Sequence, residues 1–141
     1  MWRFTPNLAV MAIAILVVTG ALSPASAEIV IRVDKSTQRM AVIVDGDHRY
    51  TWAVSTGIGG TPSGNYRPQA LDRNHRSNLY GDAPMPYSIF YSGNFAIHGT
   101  TAVGKLGTRA SHGCIRLHPA NAAVLFSMVQ GQMGSTRIQI Q

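Results

Sequence analysis

The chain has 141 residues, enough for one domain, and a formal net charge of +6. Its arginines are scattered and form no basic stripe, which argues against nucleic acid as a partner, whereas modest positive charge suits an anionic surface such as a cell wall. The sequence contains one cysteine, which excludes a disulfide within the chain.

The first 27 residues are predicted to be a secretory signal peptide that precedes a single domain over residues 28–141. Arg3 gives a positive start, residues 8–18 are apolar, and Ala-Ser-Ala at 25–27 suits a cleavage site. The apolar run is short for a membrane span, so we expect no stable span after cleavage. The sequence thus predicts an exported protein of the periplasm or cell wall, with an uncleaved N-terminal anchor as the alternative.

Three segments that follow are predicted to form an antiparallel meander. Residues 28–34, 39–47 and 48–56 are rich in Ile and Val and alternate apolar with polar residues, as half-buried strands do. Asp45-Gly46 is a typical hairpin turn between the second and third segments.

Residues 57–86 are predicted to be a long irregular section with at most a short strand near residues 64–68. Gly, Pro, Asn and Ser dominate this section, and long loops in compact domains tend to be functional. We therefore expect it to border a substrate cleft, with Tyr87 and Tyr66 lining that cleft.

The remaining segments complete a mainly β fold with one helix. Residues 87–99 are predicted to form a hairpin that turns at Ser92-Gly93-Asn94, and a glycine-containing loop follows over 100–110. Residues 118–130 show helical spacing of apolar residues, with Pro119 at the first helical position and Gly131 as a stop. Residues 135–141 alternate again and are expected to close the sheet.

The segment Ser-His-Gly-Cys-Ile-Arg at 111–116 holds the only cysteine, Cys114. A thiol becomes a nucleophile when a neighbouring base or positive charge favours the thiolate, and His98 at the end of the predicted hairpin could supply that base. Gly113 permits an unusual backbone conformation beside the substrate, and Arg116 adds positive charge.

Other interpretations of these residues remain open at this point. Cys114 could be an inert core thiol, because free cysteines are usually buried. His98, His112 and Cys114 could instead hold a zinc ion, although their spacing matches no common zinc pattern. His118, directly before Pro119, is expected at a helix boundary, and the remaining histidines, His48 and His75, are expected at the surface.

The spacing of His98-Gly99-Thr100 and Ser111-His112-Gly113-Cys114-Ile115-Arg116 resembles the signature of the L,D-transpeptidase catalytic domain family of the YkuD type. The segments "GGTPSGNYRP", "MPYSIFYSGNFAIHGT" and "HPANAAVLFSMV" resemble this family too. The resemblance implies a sandwich-like, mainly β domain that acts on peptidoglycan stem peptides through a thioester, needing neither a metal nor an organic cofactor.

The resemblance also implies a role for each site residue. Cys114 would be the nucleophile and His98 the general base, with the Gly99 carbonyl orienting the histidine. The backbone of residues 112–114, including His112 and Gly113, would surround the oxyanion. Arg116, with Ser111, would hold the loop or bind substrate. Tyr87 is assigned to substrate binding on the separate ground given above, that it is expected to line the cleft.

Three properties stay open. The acceptor could be another stem peptide, a protein amine, a free D-amino acid or water, and water would make the protein a carboxypeptidase or endopeptidase. A wall-binding protein that keeps the fold without turnover is the rival interpretation. The oligomeric state is not indicated by the sequence.

Overall fold

A computed structural model describes Ile15, Val17, Thr19, Gly20 and residues 26–141 of the chain. The predicted signal peptide over residues 1–27 therefore lies largely outside the described residues, and the boundary at residue 28 stays a prediction. In the part of the chain that is described, no helix is long and apolar enough to cross a membrane.

Five strands form the first sheet, in the order β3-β2-β1-β9-β4. They are β1 (Ile29–Asp34), β2 (Arg39–Val44), β3 (Asp47–Ala53), β4 (Gly64–Tyr66) and β9 (Thr136–Ile140). The predicted meander is confirmed, because β1, β2 and β3 pair antiparallel. Asp45 and Gly46 have φ of 50° and 84°, which is the left-handed pair that a tight hairpin needs. The last strand does not sit at the edge as a closing strand would, since β9 lies between β1, with which it runs parallel, and β4.

Four strands form the second sheet, in the order β5-β6-β7-β8. They are β5 (Ala70–Arg76), β6 (Pro84–Ser92), β7 (Phe95–Gly99) and β8 (Ile115–Leu117). The hairpin predicted over 87–99 is confirmed as β6 and β7, and β6 begins three residues earlier. The prediction of an irregular section over 57–86 was wrong for β5, whose polar sequence carries no apolar alternation because most of its residues are exposed.

The helix α1 (Pro119–Val129) confirms the predicted helix to within one residue at each end. His118 is its N-cap, and its Nδ1 accepts a hydrogen bond from the Ala120 N–H at 3.1 Å, so the expected boundary role is confirmed. Pro119 occupies the first turn, where its missing N–H costs nothing. The buried side chains are those of the predicted periodic set: Ala122, Leu125, Phe126 and Val129.

The core lies between the two sheets and under the helix. It includes Ile31, Val33, Met40, Val42, Ile89, Tyr91, Ile97, Ile115, Leu117, Leu125 and Ile138, each at most 1% exposed. Side chains from both sheets and from α1 thus form one cluster, as expected for a sandwich-like domain.

Candidate active site

Parallel pairing of β7 with β8 brings the two segments of the predicted site together. Ile97 pairs with Ile115, and His98 pairs with Arg116, while Cys114 directly precedes β8. Because residues two apart on a strand point to the same side of a sheet, this register directs Cys114 and Arg116 towards the side on which His98 lies.

These side chains face one cavity of about 730 Å³. The lining includes five residues that the sequence singled out, namely His98, Ser111, His112, Cys114 and Arg116. Part of the section that was expected to border a cleft also contributes, through Ser77, Leu79, Tyr80, Ala83, Pro84 and Met85. The nucleophile and base suggested by the sequence therefore share a single cavity.

His98 is held in one orientation by the backbone beside it. Its Nδ1 lies 2.7 Å from the carbonyl oxygen of Gly99, and since a carbonyl can only accept, Nδ1 carries the hydrogen. The neutral ring then has its lone pair on Nε2. His98 is only 5% exposed, and burial lowers its pKa to about 4, partly offset by the Gly99 carbonyl. The imidazole is therefore uncharged at neutral pH and able to accept a proton.

Cys114 is half-buried, and its thiol donates to the carbonyl oxygen of Asn94 at 3.6 Å. Burial raises the pKa of the Cys114 thiol, while a hydrogen bond from the Ala96 backbone and the positive charge of Arg116 act in the opposite direction. With His98 also held neutral, the resting cavity contains an uncharged thiol and an uncharged imidazole. The thiol proton has to leave the sulfur when the sulfur attacks a carbonyl carbon.

The loop before Cys114 is fixed by two buried hydroxyl groups. Ser111 Oγ donates to the Cys114 carbonyl at 2.6 Å and accepts from the Gly113 N–H at 3.1 Å. Thr61 Oγ1 donates to the Gly113 carbonyl at 2.8 Å and accepts from the Gly57 N–H at 2.9 Å. Ser111 thus holds the loop, and the Gly113 N–H, which was expected near the oxyanion, already has a partner.

Gly113 could not be replaced by a larger residue without displacement of its neighbours. Its φ of +138° is a conformation that side chains disfavour, and a Cβ there would lie 2.6 Å from the Phe95 ring. The sequence indicated the unusual backbone at Gly113. The sequence did not indicate that Phe95 and Thr61 contact Gly113, because these contacts join distant parts of the chain.

His112 is exposed, and its ring stacks on Tyr80 with centroids 4.1 Å apart and planes 8° apart. This contact ties the 77–83 turn to the cysteine loop. Arg116 also lines the cavity, and its Nη1 donates to the Ala110 carbonyl at 3.2 Å. No three His, Cys, Asp or Glu side chains come together anywhere in the described chain.

Tyr87 and Tyr66 are not among the residues that line this cavity, although both were expected there. Tyr87 has a φ of 57°, which interrupts the alternation of β6, and its ring packs against Phe126 of α1 at 5.7 Å. The Arg73 guanidinium lies 5.7 Å from the Tyr87 ring centroid. Tyr66 packs on Tyr91, at a second cavity. The positive φ of Tyr87 determines where its ring lies, and the pairing of β4 with β9 determines where Tyr66 lies.

The remaining histidines that the sequence placed at the surface differ in exposure. His48 is exposed on β3, and its Nε2 lies 2.7 Å from Thr51 Oγ1. His75 is half-buried, lying 3.0 Å from an Asp72 carboxylate oxygen and edge-on to Phe90. Neither of them lines the cavity of Cys114.

Known proteins share both the sequence pattern and this fold. The probable L,D-transpeptidase YbiS of Escherichia coli K12 is 45% identical over 49 residues, which make up 34% of this chain and 16% of that protein. An L,D-transpeptidase from Mycobacterium smegmatis has a TM-score of 0.73 and 27% identity, with 82% of this chain and 59% of that chain covered.

A third relative, LD transpeptidase LdtMt1 solved in complex with imipenem, has a TM-score of 0.72 at 21% identity with the same coverage, a likeness of fold. The chain thus spans 59% of the length of both solved proteins. The sequence profile of the YkuD L,D-transpeptidase catalytic domain matches residues 28–140, nearly all of the described part. The chain therefore belongs to the L,D-transpeptidase catalytic domain family.

Proposed function

We propose that this protein is a cysteine acyltransferase that acts on peptidoglycan stem peptides, with Cys114 as nucleophile and His98 as general base. The observation that carries the proposal is the shared cavity. It combines the one cysteine of the chain with a buried, neutral histidine whose Nδ1 is engaged by Gly99. That arrangement leaves Nε2 for proton transfer, which is what an activated thiol needs.

In the first half-reaction, the Cys114 sulfur attacks the carbonyl carbon of an L-centred residue of a tetrapeptide stem. His98 Nε2 takes the thiol proton and then gives it to the departing amine of the terminal D-alanine. The C–N bond breaks as the C–S bond of the thioester persists. Because burial lowers the pKa of His98 to about 4, its protonated form is a strong acid for this second transfer.

The tetrahedral intermediate carries a negative oxygen that needs donors in place beforehand. The N–H groups of His112 and Cys114 are proposed as these donors, in a loop held by Ser111 and Thr61, since the Gly113 N–H already donates to Ser111 Oγ. The Arg116 side chain in the same cavity adds a positive charge that favours the thiolate. Arg116 and the Tyr80–His112 pair are proposed to contact the donor peptide.

In the second half-reaction, an acceptor amine attacks the thioester, and the acyl group leaves the sulfur. His98 receives the proton of that amine and returns one to the thiolate. An acceptor stem peptide gives a cross-link, whereas water gives hydrolysis. Peptidoglycan lies outside the cytoplasmic membrane, so the proposal includes export of the chain through the predicted signal peptide, with residues 28–141 as the catalytic domain.

The test is incubation of the purified protein with a disaccharide-tetrapeptide, followed by mass spectrometry of products and of intact protein. Loss of D-alanine with a cross-linked dimer supports transpeptidation, and loss of D-alanine alone indicates hydrolysis. Imipenem, bound in the related LdtMt1 structure, is expected to acylate Cys114 and add one drug mass. Neither product nor adduct under any condition would favour the wall-binding alternative.

A further inference from the structure

A buried polar network outside the cavity joins the turn between β1 and β2 to the loop that carries Cys114. Gln38 is the last residue of this turn, directly before β2, and only 5% of it is exposed. Its φ of 53° is left-handed, a conformation that costs free energy for a residue with a long side chain. Glycine or asparagine would adopt this φ more readily, so a glutamine here indicates that the side chain itself is required.

Both polar atoms of the Gln38 amide are engaged. Oε1 accepts from the Thr56 N–H at 2.8 Å, while Nε2 donates to Thr56 Oγ1 at 2.7 Å and to the Lys35 carbonyl at 2.8 Å. Because an N–H can only donate and a carbonyl can only accept, these partners fix the orientation of the amide. Thr56 is fully buried, so water does not replace a lost partner there. Gln38 therefore holds Thr56 in one position.

Thr56 in turn holds the start of the cysteine loop. Its carbonyl accepts from the Ser111 N–H at 3.1 Å, and the Ile58 N–H donates to the Ser111 carbonyl at 3.0 Å. Both backbone groups of Ser111 are thus bonded to residues 56–58. The Ser111 hydroxyl carries the link onward, because it bonds the Gly113 N–H and the Cys114 carbonyl. A displacement of Thr56 would therefore displace the loop.

Lys35, in the same turn, makes a second link. Its Nζ donates to the Thr61 carbonyl at 2.7 Å, and the Thr61 hydroxyl supports Gly113. The side chains of Gln38 and Lys35 thus bond two different threonines, and each threonine contacts the cysteine loop. Neither side chain lines the cavity of Cys114, so neither contacts a donor peptide there.

We propose that the β1–β2 turn positions the cysteine loop, with Gln38 as the principal positioning residue and Lys35 as the second. This inference rests on the proposed acyl transfer and adds two residues that touch neither the substrate nor the reacting atoms. Attack on a carbonyl carbon requires the sulfur and its base to be aligned, and a misplacement of about 1 Å can lower the rate by about a hundredfold. The turn keeps the sulfur of Cys114 aligned with His98.

Gln38→Met tests the inference, because it keeps the length of the side chain and removes its hydrogen bonds. We expect the maximal rate of acyl-enzyme formation from a disaccharide-tetrapeptide, per folded molecule, to fall by about 10–100-fold. The half-saturating donor concentration should stay nearly unchanged, since Gln38 does not line the cavity. The matched control is Thr136→Val, which removes a buried donor to the Gln132 carbonyl at 2.6 Å. It should lower the unfolding free energy and leave the rate per folded molecule unchanged.

Gln38→Gly separates the turn from the side chain. Glycine adopts a φ of 53° readily, so a residue needed only for the turn could be glycine without loss of rate. We expect Gln38→Gly to be as slow as Gln38→Met. Unchanged rates per folded molecule in both variants, as in Thr136→Val, would overturn the inference and leave the acyl transfer intact.

A double-mutant cycle tests the path through Ser111. Ser111→Ala removes the hydroxyl that joins residues 56–58 to Gly113 and Cys114. Gln38→Met should therefore lower the rate much less in Ser111→Ala than in the unmodified protein. Independent, multiplicative losses would show that Gln38 does not act through this loop and would overturn the inference.

Lys35→Met keeps the inference testable if Gln38→Met does not fold, because Lys35 is half-buried. It should slow acyl-enzyme formation severalfold, whereas Arg49→Met, which removes an equal charge from the exposed β3, should not. Equal rates in these two variants would contradict the second link.

Alkylation of Cys114 by iodoacetamide tests the positioning without any peptide. It should slow in Gln38→Met and Lys35→Met near neutral pH, because the thiol loses its alignment with His98, and it should be unchanged in Thr136→Val. If the unmodified protein formed no acyl-enzyme, the proposed function would fail. Unchanged alkylation in both turn variants would separately overturn this inference.

Discussion

The two sheets of this domain differ in how regularly their residues are buried. In the first sheet, β2 and β9 alternate buried with more exposed residues, and the buried positions are almost all apolar. In the second sheet, β6 breaks the alternation at Tyr87, which has a positive φ, and β7 buries the polar ring of His98. Burying a polar group costs free energy unless its hydrogen bonds are made.

This difference separates the residues that stabilise the fold from the residues that take part in the proposed chemistry. The first sheet contributes apolar burial, which favours any well-packed residue of the right size. The second sheet carries the irregular position Tyr87 and the buried polar ring of His98, and His98 lines the cavity of Cys114. Such positions persist because the rest of the domain is stable enough to hold them, and they are found where a site needs a particular geometry. The substitutions and the change of pH described below test this separation, from the largest expected effect to the smallest.

Cys114→Ala is expected to abolish acyl-enzyme formation, because the chain has no other cysteine. Cys114→Ser should be almost as inactive, since a hydroxyl is far harder to deprotonate than a thiol. Both variants should keep the unfolding free energy nearly unchanged. The measurement is intact-protein mass spectrometry after incubation with donor or imipenem, together with denaturant unfolding.

Met40→Ala in the first sheet is the matching contrast. Met40 is fully buried, so we expect a loss of about 2–5 kcal/mol in unfolding free energy with an unchanged rate per folded molecule. If Cys114→Ala cost as much stability as Met40→Ala and left acyl transfer intact, Cys114 would be an inert core thiol.

His98→Ala is expected to lower the rate of acyl-enzyme formation by roughly 10²–10⁴-fold, the usual contribution of a general base. Alkylation of Cys114 by iodoacetamide near neutral pH should slow as well, because His98 no longer accepts the thiol proton. His48→Ala, on the exposed face of β3, is the control that should change neither rate. Normal turnover and alkylation in His98→Ala would require another base, and His112 would be tested next.

Acid should destabilise the domain through His98. Its pKa is lowered to about 4 in the folded protein by burial, against about 6.5 in the unfolded chain. Between these values the unfolded chain binds a proton that the folded protein does not, so the unfolding free energy falls as pH decreases. The part due to His98 is absent above about pH 6.5 and reaches about 3 kcal/mol below pH 4.

His98→Asn cannot titrate and should lose this part of the pH dependence. Urea unfolding of the unmodified protein and of His98→Asn at pH 7, 5.5 and 4.5 measures this part. It is the difference between the two plots of unfolding free energy against pH. Parallel curves over this range would mean that His98 titrates alike in the folded and unfolded states, and that its burial has no electrostatic cost.

Thr61→Val is expected to reduce acyl transfer by roughly tenfold, since it removes the donor to the Gly113 carbonyl and the acceptor of the Gly57 N–H. Thr61→Ser keeps the hydroxyl and should restore most of the rate. Thr51→Val on the exposed β3 is the control. If Thr61→Val changed only the unfolding free energy and not kcat, Thr61 would support the fold without positioning Cys114.

Much of this protein follows from local sequence. The meander, the β6–β7 hairpin and α1 were predicted from alternation, turn residues and helical spacing, because these signals reflect interactions among neighbouring residues. The assignment of Cys114 and His98 to one site came from residue types and spacing as well, and the structure places both in one cavity. The predicted signal peptide remains a prediction from its sequence pattern.

Other features depend on contacts between distant parts of the chain. The parallel pairings of β1 with β9 and of β7 with β8, the strand β5, the displacement of Tyr87 and the support of Gly113 by Thr61 could not be predicted. The sequence of β5 lacks the apolar alternation that predicts a strand, because its residues are exposed or half-buried. The sequence of a segment indicates the local conformational preferences of its backbone. Which strands pair and which side chains meet depends on the packing of the whole domain. The sequence alone therefore determined which residues could do the chemistry, and only the tertiary structure decided which neighbours hold them in place.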